Sequence, residues 1–399
     1  MITSLSLIFL VGLALAGLCA LLKMPRIIGM LVTGIVLGPF CLNMLDESIL
    51  LVSSDLRRMA LIIILIKAGL ALKLDDIKAV GLPAILLSFV PALCEILAFY
   101  LIAPLLLDIN ANEALLMGTV LAAVSPAVVI PRMDKLIEEG YGTSKSIPEM
   151  IIAGSSVDDI VVIVLFTSFL SLVQGGSMSA MALLDIPLSI LSGIVVGVIV
   201  GYVLSMFFES FYTGGHHIRN SMKVIIILGF AFLLVSIEEC LKDVFAFSGL
   251  LATITMAVVI GQKSIPYVRG RLSQKYGKLW IAAEVILFVL VGAAVDIRYT
   301  LEAGGMAIAM ILIGLIFRSV GTMLSLIPTH LNMKERLYTT IAYIPKATVQ
   351  AAIGSVPLAM GLPCGKIILS VAVMAILITA PLGAIGMDIT YKKLLSKDR

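Results

Sequence analysis

Residues 118–132 read GTVLAAVSPAVVIPR, and residues 339–354 read TTIAYIPKATVQAAIG. Each is a run of apolar and small residues interrupted near its middle by a proline with a polar neighbour, Ser125-Pro126 in the first and Pro345-Lys346 in the second. A proline inside a helix removes one backbone donor and collides with the carbonyl four residues earlier. Water would satisfy the freed groups at once. In a bilayer they are tolerated only where protein or a water-filled cavity meets them. The fold therefore turns on which solvent surrounds these two runs.

Composition supplies the answer. Of 399 residues, 60% are hydrophobic and 13% charged, and the mean hydropathy is +1.14. Soluble domains carry about 25% charged and about 45–50% apolar residues. A chain this poor in charge lacks the polar surface of a cytosolic enzyme, a nucleic-acid binder or a disordered scaffold. Long apolar runs, in place of alternating segments of about ten residues, exclude a membrane barrel. What is left is an all-α polytopic membrane protein. A net charge of +3 gives no reason to expect a nucleic-acid partner. Cys19, Cys41, Cys94, Cys240 and Cys364 are scattered without a CxxC pair and read as small apolar fillers. The first apolar stretch has no basic segment before it and has Lys23 and Arg26 after it, so it reads as a first span and not a cleaved signal.

Runs near the length of about 20 residues that a bilayer demands number thirteen: 4–22, 26–43, 59–72, 82–107, 113–131, 148–174, 181–208, 221–237, 246–262, 279–295, 302–328, 338–359 and 366–389. Thirteen transmembrane helices put the termini on opposite sides. On the C-terminal side the loops hold 20 basic residues, against Arg57, Arg58, Lys242, Arg298 and Lys366 on the other. Basic loops stay inside, so the N-terminus is expected outside and the C-terminus in the cytoplasm.

Five charges fall near mid-span: Glu95, Asp158, Asp159, Arg318 and Lys346. Each costs about 2.5–3.5 kcal/mol at a helix centre, and together, unpaired, about 12–18 kcal/mol, comparable to the whole stability of a domain. They must pair or line water. Three acids against two bases leave one carboxylate over, the natural place for a mobile cation or a proton. Asp158 and Asp159 are adjacent in AGSSVDDIVVIVLF (153–166) and point about 100° apart on a helix, so one faces a cavity while the other meets a protein partner or the cavity's edge. Glu95 in VPALCEILAFYL (90–101) and Arg318 in ILIGLIFRSVGTML (311–324) read as a structural ion pair between two helices. Glu284 in LWIAAEVILF (279–288) reads as an interfacial, snorkelling residue.

Spans four to six carry Glu95, Pro126 and Asp158, whereas spans eleven to thirteen begin with Arg318 and Pro345. A charged helix before a broken one in each half points to two inverted repeats with crossed broken helices and a midplane site. Facing half-helix ends need compensation. Lys346, directly after its break, suits the negative ends and is a candidate partner of Asp158. Weaker signals read blandly. His216, His217 and His330 fall in loops, GMLVTGIVLGP (29–39) is a packing surface, no Walker A sequence occurs, and the tandem acids lack a GxGD setting.

SPAVVIP (125–131), SSVDDIVVI (155–163) and PKATVQAAIG (345–354) together resemble the cation/proton antiporter superfamily, within it the paired-aspartate branch, and most of all the NHA-type sodium/proton exchangers. LIKAGLALKLDDI (65–77) and LFVLVGAAVDI (287–297) extend the similarity over nearly the whole chain. The resemblance implies an elevator antiporter, working as a homodimer and exchanging Na⁺ or Li⁺ for protons, with no cofactor and no enzymatic activity. It implies dimerisation segments at 1–80 and 211–300, a core transport domain at 81–174 and 301–399, and a linker helix at 175–210. By position, Asp159 would be the main ion- and proton-binding carboxylate with Asp158 beside it, and these two would hold the transported metal ion. Ser125 with the carbonyls around it, and Ser155, would complete the shell. Glu95, Arg318 and Lys346 would be structural or charge-compensating. Many paired-aspartate relatives have a lysine where this chain has Arg318, and the arginine together with Glu95 matches the NHA-type variation. A sodium-coupled organic-anion symporter of similar fold, a K⁺/H⁺ antiporter and an ion channel stay open as alternatives. A multi-pass protein without long tails fits a bacterial inner membrane.

Overall fold

A computed structural model describes residues 1–72, 81–174, 180–213, 218–241, 245–297 and 304–397. Lys73, Lys78, His216, His217, Lys242, Arg298 and Arg399, together with the end of LIKAGLALKLDDI, lie outside the described residues. The described chain is helical: α1 (Ile2–Leu21), α2 (Arg26–Leu37), α3 (Glu47–Leu51), α4 (Ser53–Ala71), α5 (Leu82–Leu107), α6 (Ala111–Ala122), α7 (Pro126–Glu139), α8 (Ile147–Gln174), α9 (Ala180–Thr213), α10 (Asn220–Leu241), α11 (Gly249–Lys263), α12 (Pro266–Ala293), α13 (Gly304–Ser325), α14 (Met333–Ala342), α15 (Thr348–Gly354), α16 (Val356–Ala359) and α17 (Gly365–Leu394). Its one strand-like feature among the described residues is an isolated bridge between Tyr141 and Lys397.

Among the described residues, nine helices are long and apolar enough to cross a membrane, with α6 and α7 taken together as Ala111–Glu139. Helices α2 and α11 and the stretch Thr348–Ala359 are apolar but shorter. Helix α4 carries Asp55, Arg57, Arg58 and Lys67, which dilutes its apolarity. The tenth run, expected at 279–295, is only the apolar end of α12, which starts at Pro266. Apolarity marks membrane depth, whereas the helix continues through the charged YVRGRLSQKYGK segment for as long as its backbone is uninterrupted.

Two compact units form. One comprises Met1–Ser54, Leu74–Phe169 and Leu287–Arg399; the other comprises Asp55–Lys73 and Leu170–Ile286. Within the second, α9 lies against α11 through Gly193, Gly197 and Gly201, where an added Cβ would strike the backbone at Ser248, Ala252 and Met256. Small residues one turn apart let backbones approach where lipid supplies no hydrophobic drive. In the first unit the 29–39 segment does the same. Gly29 meets the backbone of Leu15, and Gly34 that of Val289. Gly314 and Gly321 seat α13 on α5, against Phe99 and Pro91.

Both broken spans lie in the first unit and start alike. Asn110 accepts from the Glu113 amide while Glu113 accepts from the Asn110 amide, both at 2.9 Å. Asn332 and Glu335 repeat the arrangement at 3.0 and 2.8 Å. Such reciprocal caps satisfy two otherwise orphaned donors and fix where a helix starts. The first break unwinds residues 123–125 between α6 and α7; the second unwinds 344–347, between the end of α14 and α15. Pro126 occupies the first position of α7, where its missing N–H costs nothing. The helix is thus broken just before the proline, and the unwound residues are Ala123, Val124 and Ser125.

Candidate functional site

The two breaks touch. The Ser125 amide donates to the Pro345 carbonyl at 2.8 Å, and the Lys346 amide donates to Thr379 Oγ1 on α17 at 2.9 Å. Unwinding left these donors without helical acceptors, and each has found a partner on the opposite broken span or on α17. Asp158 of α8 is fully buried. Its Oδ2 accepts from the Val124 amide at 2.7 Å and from Arg318 Nη2 at 3.1 Å. One carboxylate thus holds a freed amide of the first break and pairs with a guanidinium.

Arg318 is the hub. Its Nη1 donates to Glu95 Oε2 at 3.1 Å and to the Ala122 carbonyl, and its Nε donates to the Tyr343 carbonyl at 2.7 Å. The guanidinium also lies over the Tyr343 ring, 5.6 Å from the centroid, at a distance where ring and cation attract. Four helical segments, α5, α8 and both breaks, are tied to one side chain. A planar fork with five donors suits this role where a lysine would not. The expected Glu95–Arg318 pair is therefore present, and it is one edge of a larger network.

Lys346 corrects an expectation. Its Nζ goes to Glu95, 2.7 Å from Oε1, and to the Leu121 carbonyl at 2.5 Å, not to Asp158. Glu95 sits between two cations, so the nearest acid to Lys346 is on α5 and not on α8. The carbonyls that precede Val124 and Ser125 are engaged. Those of Leu121, Ala122 and Ala123 already accept from Lys346, Arg318 and Gln350. These donors compensate the negative end of α6.

Glu95, Asp158, Arg318 and Lys346 balance to zero formal charge. Asp159 is the surplus acid: no lysine or arginine among the described residues forms a salt bridge with it, and its exposure is 9%. Its Oδ1, Asp158 Oδ1 and the Ser125 hydroxyl are buried oxygens without a hydrogen-bond partner. Buried polar atoms are nearly always satisfied; these three belong to the tandem acids and to the break that Asp158 holds through the Val124 amide. Ser155, one turn before Asp159 on the same face of α8, gives its hydroxyl proton to the Ile152 carbonyl at 3.1 Å. Among the described residues no group of three His, Cys, Asp or Glu side chains could hold a metal ion. Carboxylate, hydroxyl and backbone oxygens are the available ligands.

Gln350, Tyr343, Thr379 and the Val124 amide were not singled out as site groups by sequence. Two cues were available: the Asn-x-x-Glu boxes that open both broken spans, and a glutamine three residues into the half-helix after Ala347. Glu284 is half-buried and acts electrostatically on Lys67, both in the second unit. His330 is exposed.

Comparison with known proteins agrees with this architecture. The family model described as "Sodium/hydrogen exchanger, transmembrane" matches residues 5–393. The chain is 32% identical over 397 residues to human sodium/hydrogen exchanger 9B2, covering 96% of this chain and 72% of that protein. It is 31% identical over 389 residues to the bison 9B2 protein, covering 94% and 70%. The structure of the sodium proton antiporter MjNhaP1 from Methanocaldococcus jannaschii superposes with a TM-score of 0.82 at 24% identity, covering 98% of both chains, which shows a shared fold. Family match, relatives and fold agree with the resemblance carried by the two broken helices and the tandem aspartates: this chain belongs to the transmembrane sodium/hydrogen exchangers, on the NHA-type side of the cation/proton antiporter superfamily.

Proposed function

We propose that the protein is a secondary active antiporter that exchanges Na⁺ for H⁺, taking Li⁺ at the same site and serving pH homeostasis. The observation that carries this reading is Asp159, a buried carboxylate that forms no salt bridge among the described residues and follows Asp158, which holds the first of two helix breaks that touch. Around it the quartet of Glu95, Asp158, Arg318 and Lys346 is already neutral. A charge in low dielectric is costly, and Asp159 is relieved by one positive charge, either a sodium ion or a proton. Hard cations favour oxygen ligands, which Asp159, Asp158 Oδ1, Ser125 and Ser155 would provide. One carboxylate cannot hold both cargoes, so they compete, and competition is coupling provided that the unneutralised site does not cross.

In this reading the chain spans the membrane thirteen times with the N-terminus outside. The core of 81–174 and 301–399 moves as an elevator against dimerisation segments at 1–80 and 211–300, with 175–210 as linker helix, in a homodimer. The bacterial inner membrane is the location that the sequence suggested; the relatives named above come from animals and an archaeon. The protein acts as a transporter and not as an enzyme. The test is a liposome assay with a trapped pH-sensitive dye, in which sodium, lithium or potassium is added against a preset proton gradient. Sodium should collapse the gradient in wild-type vesicles. Asp159→Asn should abolish this while the protein elutes and melts as a folded species. Sodium-driven proton movement that persists in that variant would refute the assignment.

A further inference from the structure

Gln350 is wholly buried and stands at the third position of α15. Its Oε1 accepts from the Ala347 amide at 2.8 Å, which is an ordinary way to cap the start of a helix. The other half of the amide is not local. Nε2 donates to the Ala123 carbonyl at 2.7 Å and approaches the Leu121 carbonyl at 3.4 Å, across 227 and 229 residues of sequence. A capping role uses the oxygen only and leaves the NH₂ free to take any partner. Here it reaches the last freed carbonyl before Val124 and Ser125, on the opposite broken helix.

Three successive carbonyls at the end of α6 thus receive three donors: Leu121 from Lys346, Ala122 from Arg318 and Ala123 from Gln350. The first two donors are cations that also hold acids, Glu95 for both and Asp158 for Arg318. Gln350 is neutral, and among the described residues its side chain bonds Ala347 in one break, Ala123 in the other and, at longer range, Leu121 just before it. Its acceptor Ala123 is also, of the three carbonyls, the one next to the segment that Asp158 grips at the Val124 amide and that presents Ser125. We propose that Gln350 is a positioning residue for the transported cation. By pinning Ala123 to Ala347 it fixes where the Val124–Ser125 backbone lies relative to Asp158 and Asp159. This rests on the exchange reading above and deepens it.

A chemical consequence follows. Gln350→Glu keeps the shape and the acceptor for Ala347 but turns an oxygen toward the Ala123 carbonyl, so donation becomes repulsion. Gln350→Met keeps most of the volume and loses both bonds. The sodium dependence of exchange should therefore rank wild type, then Gln350→Met, then Gln350→Glu. The apparent KM for sodium should rise about tenfold in Gln350→Met, an effect of about 1.4 kcal/mol, and further in Gln350→Glu, with Vmax per folded transporter falling less than KM rises. A residue that only helps α15 to fold would lower yield and melting temperature and leave the sodium KM unmoved, and it would tolerate Glu better than Met.

The measurement is a sodium titration of proton efflux in proteoliposomes at fixed pH, normalised to folded protein by size exclusion. An unchanged sodium KM in either variant, or Gln350→Glu outperforming Gln350→Met, overturns the inference while leaving wild-type exchange intact. Should one variant fail to fold, the KM of the other decides. Wild-type vesicles that do not couple sodium to protons would sink the exchange reading itself, a distinct outcome that takes the positioning role with it.

Discussion

Arg318→Met removes four hydrogen bonds made by a buried side chain, those with Glu95, Asp158, the Ala122 carbonyl and the Tyr343 carbonyl. The damage is unequal. Glu95 keeps Lys346, whereas Asp158 keeps only the Val124 amide and becomes a buried anion without a counter-charge. Breaking a buried ion pair by deleting one partner costs about 3–5 kcal/mol. The contacts share one guanidinium, so their separate values do not add. At about 2 °C per kcal/mol for a chain this large, the melting temperature should fall by about 6–10 °C. Adding Asp158→Asn removes the stranded charge, so the double variant should melt above Arg318→Met alone, with a coupling of about 1–3 kcal/mol. Detergent-solubilised protein heated in steps and passed over a sizing column reads the folded fraction directly. Melting of Arg318→Met within about 1 °C of wild type would refute the hub. Strict additivity with Asp158→Asn would refute the Arg318–Asp158 pair in particular.

Gly154 faces the Tyr343 hydroxyl so closely that a Cβ would occupy its place, with Leu87 Cβ 3.1 Å away on the other side. Gly154→Ala should cost about 1–3 kcal/mol through overpacking and disturb the Tyr343 carbonyl that Arg318 holds; adding Tyr343→Phe should recover part of the lost melting temperature, and a Gly154→Ala protein as stable as wild type contradicts the contact. Asp46, outside the spans, caps α3 by accepting from the Ser48 amide at 2.9 Å, and its hydrogen bonds from the Ser48 side chain and amide hold its carboxyl below the ordinary 3.8. A depressed carboxyl stabilises above its unfolded value and loses that contribution as pH falls through the folded value. The cap should therefore persist at pH 4 and fail in stronger acid. A carboxyl-carbon NMR titration with a midpoint at or above 3.8 would overturn it.

The tandem aspartates show how legible the site was. Adjacent helical positions diverge, so a division of labour followed from sequence: one acid for a partner, one for a cavity. Which acid meets the partner was expected only from the family resemblance; residue spacing did not give it, because it depends on where α13 brings Arg318. Lys346 shows the same limit. Its charge and its position after a break suggested Asp158, yet α5 delivers Glu95 closer. Gln350 stands in the second quoted run, but its bond to Ala123 exists only because two segments distant in sequence unwind at the same place.

The prolines separate the two kinds of information most clearly. Composition and run length alone decided that the chain lives in lipid and is helical, because lipid forbids unpaired backbone. Proline spacing did not decide where the helices break. Pro91, Pro104, Pro131, Pro187 and Pro381 all lie inside continuous helices, while Pro126 and Pro345 mark the two interruptions. The difference is the partners. At residues 121–125 and 343–347 the freed groups meet Asp158, Arg318, Lys346, Gln350, Thr379 and one another. A helix can afford to unwind at membrane depth only where the rest of the fold already offers those bonds, and that is settled in three dimensions.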